Sequence, residues 1–365
     1  MPQDNKTSLV FDHVTLGQRV LFGFGRARSN LADEVARLKA RRIMVIVSER
    51  ERSLAEEVAA EVDVAVWHTD VAMHVPVETA EAARAVAREV EADLLVCIGG
   101  GSTTGLAKAV ALTGGQRVVA VPTTYAGSEA TNVWGLTEGK RKTTGVDDSV
   151  LPVTVIYDAR LTLSLPVDMS VASGLNGLAH CVDSLWAPRA DPINAAMAVE
   201  GIRVLGEGLP LLVDEPGSVT GRDRVLYGAY LSAVAFASAG SGLHHKICHV
   251  LGGTFDLPHA QTHATVLPYV LEFNAPYAPA AEARIAQALG GCDASAGLAE
   301  LRERISAPQR LADYGFRRSD IPTAVDIIQQ HVPEGNPRPV SEMALTRLLH
   351  AALDGSDPRD TFTEE

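Results

Sequence analysis

The pattern of hydrophobic and polar positions changes character after about residue 160. Before that point, short apolar runs alternate with stretches in which apolar residues recur at helical spacing. The runs predict strands at 19–22, 42–47, 62–67, 94–98 and 117–121. The stretches between them predict helices at 29–38, 54–61, 78–91 and 103–112. Because strands that alternate with helices form a parallel sheet covered on both faces, we expect an α/β domain over residues 1–160.

Beyond residue 160 the pattern predicts helices only. Long stretches rich in alanine, leucine and valine follow one another without the alternation of a strand. The predicted helices span 168–187, 191–213, 219–239, 243–252, 278–290, 295–304, 321–331 and 340–353. We therefore expect an all-helical domain over residues 161–365. The predicted fold class is an N-terminal α/β parallel-sheet domain plus an all-α C-terminal domain, with a hairpin at 134–142 that turns at Glu138 and Gly139.

Composition and charge narrow the class of protein. The chain is 46% hydrophobic and 21% charged, which is typical of globular proteins. Its formal net charge of −13, without a basic stripe, argues against a nucleic-acid partner. No apolar run reaches the roughly 18 to 20 residues of a membrane span, and the N-terminus lacks the apolar core of a signal peptide. We therefore expect no membrane partner and a cytoplasmic location.

Two polar loops follow predicted strands and indicate a dinucleotide site. They contribute Gly99, Gly100, Gly101 and Ser102 in the first loop, and Thr123, Thr124 and Ser128 in the second. Glycines let the backbone approach a phosphate, and a helix N-terminus offers free N–H groups. Dinucleotides bind at the carboxyl edge of a parallel sheet. The glycines match neither the G-x-G-x-x-G fingerprint nor a P-loop, so a tight strand-to-helix turn stays open as the alternative.

The segment after the predicted strand at 42–47 bears on the choice of nicotinamide cofactor. NAD-selective sites place an acidic residue after a strand, where it binds the ribose 2′-hydroxyl. Ser48 stands where that acid is expected, and we include it among the cofactor-binding residues. Arg50 and Arg52 could meet the 2′-phosphate of NADPH, or they could belong to a solvated charge run. We expect NADH or NADPH to serve as cofactor.

A set of histidines and one asparagine has the spacing of a metal site. Asn176 and His180 are four residues apart on one face of a predicted helix. His245 and His249 are also four residues apart, and His259 follows downstream. Three imidazoles and a carboxylate would bind a divalent metal well, but here an amide stands in the carboxylate's place. The pair of histidines at 245 and 249 could also be helix residues bonded to backbone carbonyls.

Taken together, these motifs resemble the iron-containing alcohol dehydrogenase family over most of the chain. The matching segments are Gly99–Ser102, Pro122–Thr124, Asp158 with Pro166, Asn176–His180, His245–His249 and Pro258–His259. The resemblance implies a dinucleotide-binding domain, a helical domain, an active site in the cleft between them, and a homodimer. It also implies metal-ligand positions, which in this chain are occupied by Asn176, His180, His245 and His259.

Three departures from the family's usual pattern resemble one of its subgroups. Asn176 replaces the acidic ligand, the loop after Pro122 is one residue shorter, and the segment 242–253 carries the extra His244 and Lys246. That subgroup reduces maleylacetate, a dianion, to 3-oxoadipate with NADH or NADPH during bacterial breakdown of aromatic compounds. It is generally regarded as needing no metal. We therefore expect no required metal, and at most a weak adventitious one at His180, His245 and His259.

The chemistry of this substrate class suggests roles for the site residues. Hydride addition to the alkene of an unsaturated oxo-diacid moves charge to the ketone oxygen, where it must be stabilised, and a proton must be delivered. Without metal, the histidines could donate hydrogen bonds and give the pocket a positive character. We expect His180, His245, His249 and His259 to be catalytic. We expect Asn176, Lys142, His244 and Lys246 to bind substrate, although Lys246 could equally be a solvated helix residue.

Three other functions remain compatible with the sequence. A metal-dependent alcohol or polyol dehydrogenase would need only three histidines and water around zinc or iron. An enzyme like dehydroquinate synthase, acting on a phosphate-containing substrate, would need more lysine and arginine residues at the cleft than we find. A binding module without turnover would have no use for the glycine loop together with the histidine set.

Overall fold

The computed structural model describes residues 10–139 and 141–362, without the side chains of Arg141 and Lys142. The strands in this part of the chain are β1 Arg19–Phe22, β2 Ile43–Ile46, β3 Val64–His68, β4 Leu94–Gly99, β5 Arg117–Pro122, β6 Val133–Glu138, β7 Arg141–Val146 and β8 Thr154–Tyr157. Six of them form a parallel sheet in the order β1-β8-β5-β4-β2-β3. Strands β6 and β7 pair antiparallel as the expected hairpin.

Helices cover both faces of the parallel sheet. They are α1 Ala27–Leu38, α2 Arg52–Val58, α3 Val77–Glu89 and α4 Gly101–Gly114. Alternate residues of a strand point to opposite faces, so Val45 and Val96 join one apolar cluster, whereas Met44 and Leu95 join another. Strands β2 and β4 are buried on both sides, as central strands of a parallel sheet must be. This arrangement confirms the predicted α/β class.

The rest of the described chain is helical. Its helices are α5 Val167–Ser184, α6 Pro192–Asp214, α7 Val219–Ala239, α8 Leu243–Phe255, α9 His259–Asn274, α10 Pro279–Leu289, α11 Ala294–Arg304, α12 Ile321–Gln329 and α13 Glu342–Asp354. One apolar core joins α5, α6 and α7 through Leu175, Leu205 and Leu226. A second core joins α8, α9, α12 and α13. No single described helix has both the length and the hydropathy of a membrane span, and α7 and α8 meet that test only as a pair bent by 101°.

Two elements were absent from the prediction. Strand β8 is only four residues long, and it inserts between β1 and β5, which are distant from each other in sequence. Helix α9 contains Pro268 and buries polar residues such as Thr262 and His263, so it lacks the apolar stripe of an amphipathic helix. Period analysis fails for α9 because that helix is buried nearly all round, whereas β8 is no shorter than β1 and β2, which the pattern did predict.

Candidate active site

The glycine loop at the end of β4 is packed so closely against its neighbours that side chains would collide with them. Gly99 has φ +153°, and a Cβ there would lie 2.5 Å from the Thr103 hydroxyl oxygen, so no other residue fits. Gly100 is the N-cap of α4 and has no side chain to satisfy the first N–H groups. A Cβ on Gly100 would lie 3.1 Å from Thr124. This backbone cradle at a helix N-terminus fits the diphosphate of a nicotinamide dinucleotide.

The structure brings the predicted cofactor residues together at the carboxyl edge of the sheet. The N–H of Thr123 donates to the carbonyl of Gly99, which ties the two loops together. The hydroxyl groups of Ser48 and Thr123 both donate to the carboxylate of Glu51, at 2.8 and 2.7 Å. Ser128 starts a short 3-10 helix in the second loop. These contacts establish proximity, and the binding role of the residues stays a prediction.

Lys108 is a residue of this region that sequence reasoning missed. Its side chain is fully buried on α4, and Nζ donates to the carbonyls of Ser128, Thr131 and Val133 at 2.6, 2.8 and 2.9 Å. Burial lowers the pKa of Lys108 to about 7, and the nearby carboxylate of Glu129 opposes this shift. The ammonium thus holds the second loop against α4. A lysine within an apolar helix was the available signal, because buried lysines need partners.

Lys108→Met is expected to weaken NADH binding about tenfold and to lower the free energy of unfolding by about 1–3 kcal/mol, because three loop carbonyls lose their donor. NADH titration followed by fluorescence and urea unfolding measure the two effects. Lys39→Met, at an exposed lysine, serves as the control. A variant that is less stable but binds NADH normally would show that Lys108 does not position the loop.

Four histidine rings pack together where α5, α8 and α9 meet. The centroid of His180 lies 4.6 Å from that of His245 and 6.2 Å from that of His263. His245 and His263 are 4.7 Å apart, and Nε2 of His244 lies 3.0 Å from Nδ1 of His263. His244, His245 and His263 are almost completely buried. Sequence reasoning left His263 out of the site. It lies on α9, which was not predicted, so the sequence gave no sign of which site residues it would contact.

The remaining predicted histidines lie at the rim of this cluster. His249 and His259 are both exposed. The ring centroid of His249 is 6.0 Å from that of His245, and the centroid of His259 is 4.4 Å from that of His263. The structure therefore gathers the four histidines predicted to be catalytic into one region, with two inside and two at the edge.

Asp183 is a third residue that sequence reasoning missed, after Lys108 and His263. It is fully buried on α5, one turn after His180. Its Oδ2 accepts hydrogen bonds from Nδ1 of His245 at 3.0 Å and from the N–H of Gly242 at 2.9 Å. Asp183 thus caps the first turn of α8 from a neighbouring helix. A Cβ at Gly242 would lie 2.2 Å from Asp183 Oδ1, so this close approach requires glycine.

The bond to Asp183 determines what His245 can do. When Asp183 is ionised its oxygens can only accept, so His245 then donates the proton of this hydrogen bond from Nδ1. Nε2 of the neutral ring then carries a lone pair, and it is buried without a hydrogen-bond partner among the described residues. Such a nitrogen can coordinate a metal or accept a proton. Burial raises the pKa of Asp183 to about 7, and the hydrogen bonds that its carboxylate accepts from backbone N–H groups oppose this rise.

Burial also removes the positive charge expected of the histidine cluster. Desolvation, reinforced by the neighbouring imidazoles, lowers the pKa of His180 and of His244 to about 3. The same causes place the pKa values of His245 and His263 well below 6.5. These four rings are therefore neutral at physiological pH. For His180 and His245, two of the four histidines expected to give the pocket a positive character, the prediction is wrong. A cationic contact to a dianion has to come from residues outside these four rings, such as the half-buried Lys246.

The other predicted substrate contacts are distributed around the cluster. Asn176 is buried one turn before His180 on α5, and its Oδ1 has no hydrogen-bond partner in the described part of the chain. His244 belongs to the cluster itself, and Lys246 follows on α8. Lys142 lies in β7, but its side chain is outside the described residues. The substrate-binding role of these residues remains untested.

Helix α7 connects the histidine cluster to the cofactor loops. Phe236 packs on His180 and His245 with ring centroids 4.7 and 4.2 Å apart. Three residues earlier, Ala233 meets the second loop, where a Cβ at Gly127 would lie 2.9 Å from it. Three residues rise about 4.5 Å along an α-helix. Helix α7 therefore contacts the second loop and the histidine cluster at positions about one helical turn apart.

Comparison with known families defines the class of protein. The family model described as "Iron-containing alcohol dehydrogenase" matches residues 17–159, and the one described as "Fe-containing alcohol dehydrogenase family, C-terminal" matches residues 170–353. The two matches cover the sheet and most of the helical part. The chain belongs to the iron-containing alcohol dehydrogenase family.

Within this family, the chain is similar to several proteins named maleylacetate reductase. The one from Sphingobium indicum is 46% identical over 349 residues, which cover 95% of this chain and 99% of that protein. The solved maleylacetate reductase from Rhizobium sp. strain MTP-10005 is 41% identical, with a TM-score of 0.91 and coverage of 96% and 100%. The solved iron-containing alcohol dehydrogenase from Corynebacterium glutamicum is 64% identical with a TM-score of 0.96, covering 97% of this chain and 100% of that one.

The prediction that no metal is required is contradicted, because membership of this family implies a bound metal. The side chains fit such an ion. Among the described residues, His244, Cys248 and His263 place their ligand atoms within 4.8 Å of one another. Nδ1 of His180 and Nε2 of His245 are buried and have no hydrogen-bond partner in that part of the chain. Neutral imidazoles suit a divalent first-row metal. The group with ligand spacing differs from the set of His180, His245 and His259 that we expected.

Asn176→Asp is expected to raise the affinity for Zn²⁺ about tenfold or more. The substitution puts a carboxylate one turn from His180 at a position where the amide oxygen has no partner among the described residues, and a deprotonated oxygen is a far better metal ligand. Competition with a chromophoric chelator measures this affinity. Asn176→Ala, which removes the amide without adding charge, is the matched control. Equal affinity in all three proteins would show that position 176 does not face a metal.

Proposed function

We propose that this chain reduces the C=C bond of maleylacetate with NADH or NADPH to give 3-oxoadipate, in the bacterial degradation of aromatic compounds. The observation that carries the proposal is its full-length similarity to maleylacetate reductases at 43–46% identity. Two features of the site support it. Helix α7 contacts both the second polar loop and the histidine cluster, and Asn176 occupies the position of an acidic ligand.

The reaction transfers a hydride and a proton to the two carbons of the alkene. Hydride from C4 of the nicotinamide adds to the alkene carbon remote from the ketone, and the alkene electron pair moves towards the ketone oxygen as an enolate. A proton then adds to the carbon next to the ketone, and NAD(P)⁺ remains. The transition state is stabilised by groups that meet the developing negative charge. The site must therefore exclude water, orient the diacid and supply one proton.

The residues of the cluster divide these tasks. His180 and His245 stack against each other in the cluster, and Asp183 holds the ring of His245 in place. His249 and His259, exposed at the rim, are placed to exchange protons with solvent. Lys246 contributes a positive charge towards the carboxylates. The metal implied by the family would be held by the buried imidazoles of His180 and His245 or by the neighbouring His244, Cys248 and His263, and it would act as a Lewis acid towards a ketone oxygen.

The test is the oxidation of NADH by freshly generated maleylacetate, followed by absorbance, with 3-oxoadipate identified by mass spectrometry. The assay is run on the protein as purified, after chelation, and after reconstitution with Fe²⁺ or Zn²⁺. We expect rapid NADH oxidation in at least one of these forms and one 3-oxoadipate formed for each NADH consumed. Absence of turnover in all three would overturn the proposal.

One observation favours a second candidate function, alcohol or polyol oxidation. The 64% identical protein from Corynebacterium glutamicum is named an iron-containing alcohol dehydrogenase, and the buried imidazoles fit a metal. Reduction of NAD⁺ by simple alcohols and diols, measured on the metal-loaded protein, separates the two functions. This activity without maleylacetate turnover would replace the first proposal.

The proposal includes a homodimer in the cytoplasm. A reaction that consumes NADH has to take place where the nicotinamide pool is. Strand β1 is an edge of the sheet, and Phe22 and Phe24 beside it are 41% and 43% exposed. An unpaired edge with exposed aromatic residues favours pairing with a second copy. Light scattering coupled to size exclusion measures the mass, and a monomer would remove this part of the proposal.

A further inference from the structure

The carboxylate of Glu51 bridges the ends of three neighbouring strands. Glu51 closes the short 3-10 helix that follows β2. Its Oε2 accepts the Ser48 hydroxyl and its Oε1 accepts the Thr123 hydroxyl, which lies just past β5. Strand β4 lies between β2 and β5, and a Cβ on Gly99 at its end would be 3.1 Å from Oε2. The carboxylate therefore sits against the first glycine of the proposed phosphate loop.

The strand order identifies which part of a dinucleotide would meet this carboxylate. In parallel-sheet dinucleotide domains the diphosphate binds at the glycine loop, and the adenosine ribose lies over the end of a neighbouring strand, where an acidic residue accepts its 2′-hydroxyl. Here β2 is the neighbour of β4, and Glu51 comes from the loop after β2. The acid expected at Ser48 is thus supplied three residues later, with Ser48 as its hydrogen-bond donor.

The charge of Glu51 is not neutralised within the described part of the chain. Its hydrogen-bond partners there are two neutral hydroxyl groups, and no described lysine or arginine forms an ion pair with it. Arg52 interacts with other residues. Its guanidinium stacks on the ring of Trp67 at 3.8 Å, and its Nε donates a hydrogen bond to the carboxylate of Glu56 at 2.8 Å. Arg52 is therefore not placed to be the cationic partner of a 2′-phosphate. Of the two arginines that the sequence suggested for that role, only the exposed Arg50 is left.

We propose that Glu51 selects NADH over NADPH by accepting a hydrogen bond from the 2′-hydroxyl of the adenosine ribose and by repelling a 2′-phosphate. The proposal rests on the proposed function in that a nicotinamide dinucleotide is the cofactor. Each carboxylate oxygen accepts more than one hydrogen bond, so the ribose hydroxyl can join the Ser48 and Thr123 donors. A phosphate dianion at the same place would meet an uncompensated negative charge, which disfavours NADPH.

Binding of NADH and NADPH without substrate tests this proposal directly. Nucleotide fluorescence yields the dissociation constants for the unmodified chain, for Glu51→Gln and for Glu49→Gln. Glu49 lies in the same short helix and is exposed, so its variant is the matched control for loss of one charge. We expect the unmodified chain to bind NADH at least about tenfold more tightly than NADPH. We expect Glu51→Gln to reduce this ratio about tenfold, and Glu49→Gln to leave it within about twofold.

Three results would overturn the role of Glu51. They are equal affinity of the unmodified chain for both nucleotides, a ratio unchanged in Glu51→Gln, and an equal change in Glu49→Gln. The last would indicate a general field effect. These outcomes are separate from failure of the proposed function, because binding is measured without maleylacetate. A chain that binds NADH selectively but does not reduce maleylacetate would keep Glu51 as the selector and lose the substrate. A chain that reduces maleylacetate equally well with both nucleotides would keep the proposed substrate and lose Glu51 as the selector.

Discussion

His245→Ala is expected to lower kcat/KM for maleylacetate about 100-fold or more. The imidazole of His245 lies at the centre of the cluster, in contact with His180, His263 and Phe236. Its Nε2, unpartnered among the described residues, is the buried atom best prepared to act on a metal or a proton. Loss of a group that stabilises charge in the transition state typically costs this much. Steady-state kinetics with NADH saturating measures the effect.

The controls separate chemistry from packing. Removing a buried ring leaves a cavity, so the melting temperature of the variant is measured alongside. His331→Ala, at an exposed histidine in the helical part, controls for loss of an imidazole in general. The dissociation constant of NADH is expected to stay within about threefold of its original value, because His245 is not among the residues predicted to bind the cofactor. A decrease in kcat/KM of less than about threefold would remove His245 from the catalytic residues.

Asp183→Asn is expected to lower kcat by about 10- to 100-fold with little change in NADH binding. The asparagine has nearly the shape of the aspartate, but it cannot carry the negative charge with which an ionised Asp183 accepts a hydrogen bond from Nδ1 of His245. Its amide can present N–H instead of oxygen, which would turn the ring or change its tautomer. Partners that orient a catalytic or metal-binding histidine typically contribute effects of this size. The variant is assayed for kcat, KM and metal content.

Because Asp183 also caps α8, a structural role has to be distinguished from positioning. Asp168→Asn, an exposed carboxylate in the first turn of the same helix α5, is the matched control. Positioning predicts a loss of kcat in Asp183→Asn that persists well below its melting temperature, and a lower metal content. If activity recovers fully once the fraction of folded protein is corrected for, Asp183 acts only on stability.

The fold class could be predicted from the chain because it depends on local periodicity. Strands β2 and β4 are short apolar runs, and α3 and α4 follow with helical spacing, so the sheet was evident without tertiary information. The insertion of β8 between β1 and β5 was not evident from the sequence. Strand β8 pairs with β1 across more than a hundred residues, and such pairing leaves no local pattern. Helix α9 was missed because it buries polar residues on a helix with no solvated face: Thr262 and Thr265 bond to carbonyls of the helix itself, and His263 bonds to His244.

The sequence by itself determined the class of the site, since glycines before a helix and histidines at ligand spacing are chemical signatures that do not need coordinates. It also determined the family, and with it the expected substrate. Only the tertiary structure decided which side chains form hydrogen bonds with one another in the site. Asp183 meets His245, and Glu51 meets Thr123, across separations of 62 and 72 residues. Burial decided that the histidines are neutral, because desolvation depends on what surrounds a ring in space. Charge state and hydrogen-bond partner are properties of the folded environment, whereas residue type and spacing belong to the chain.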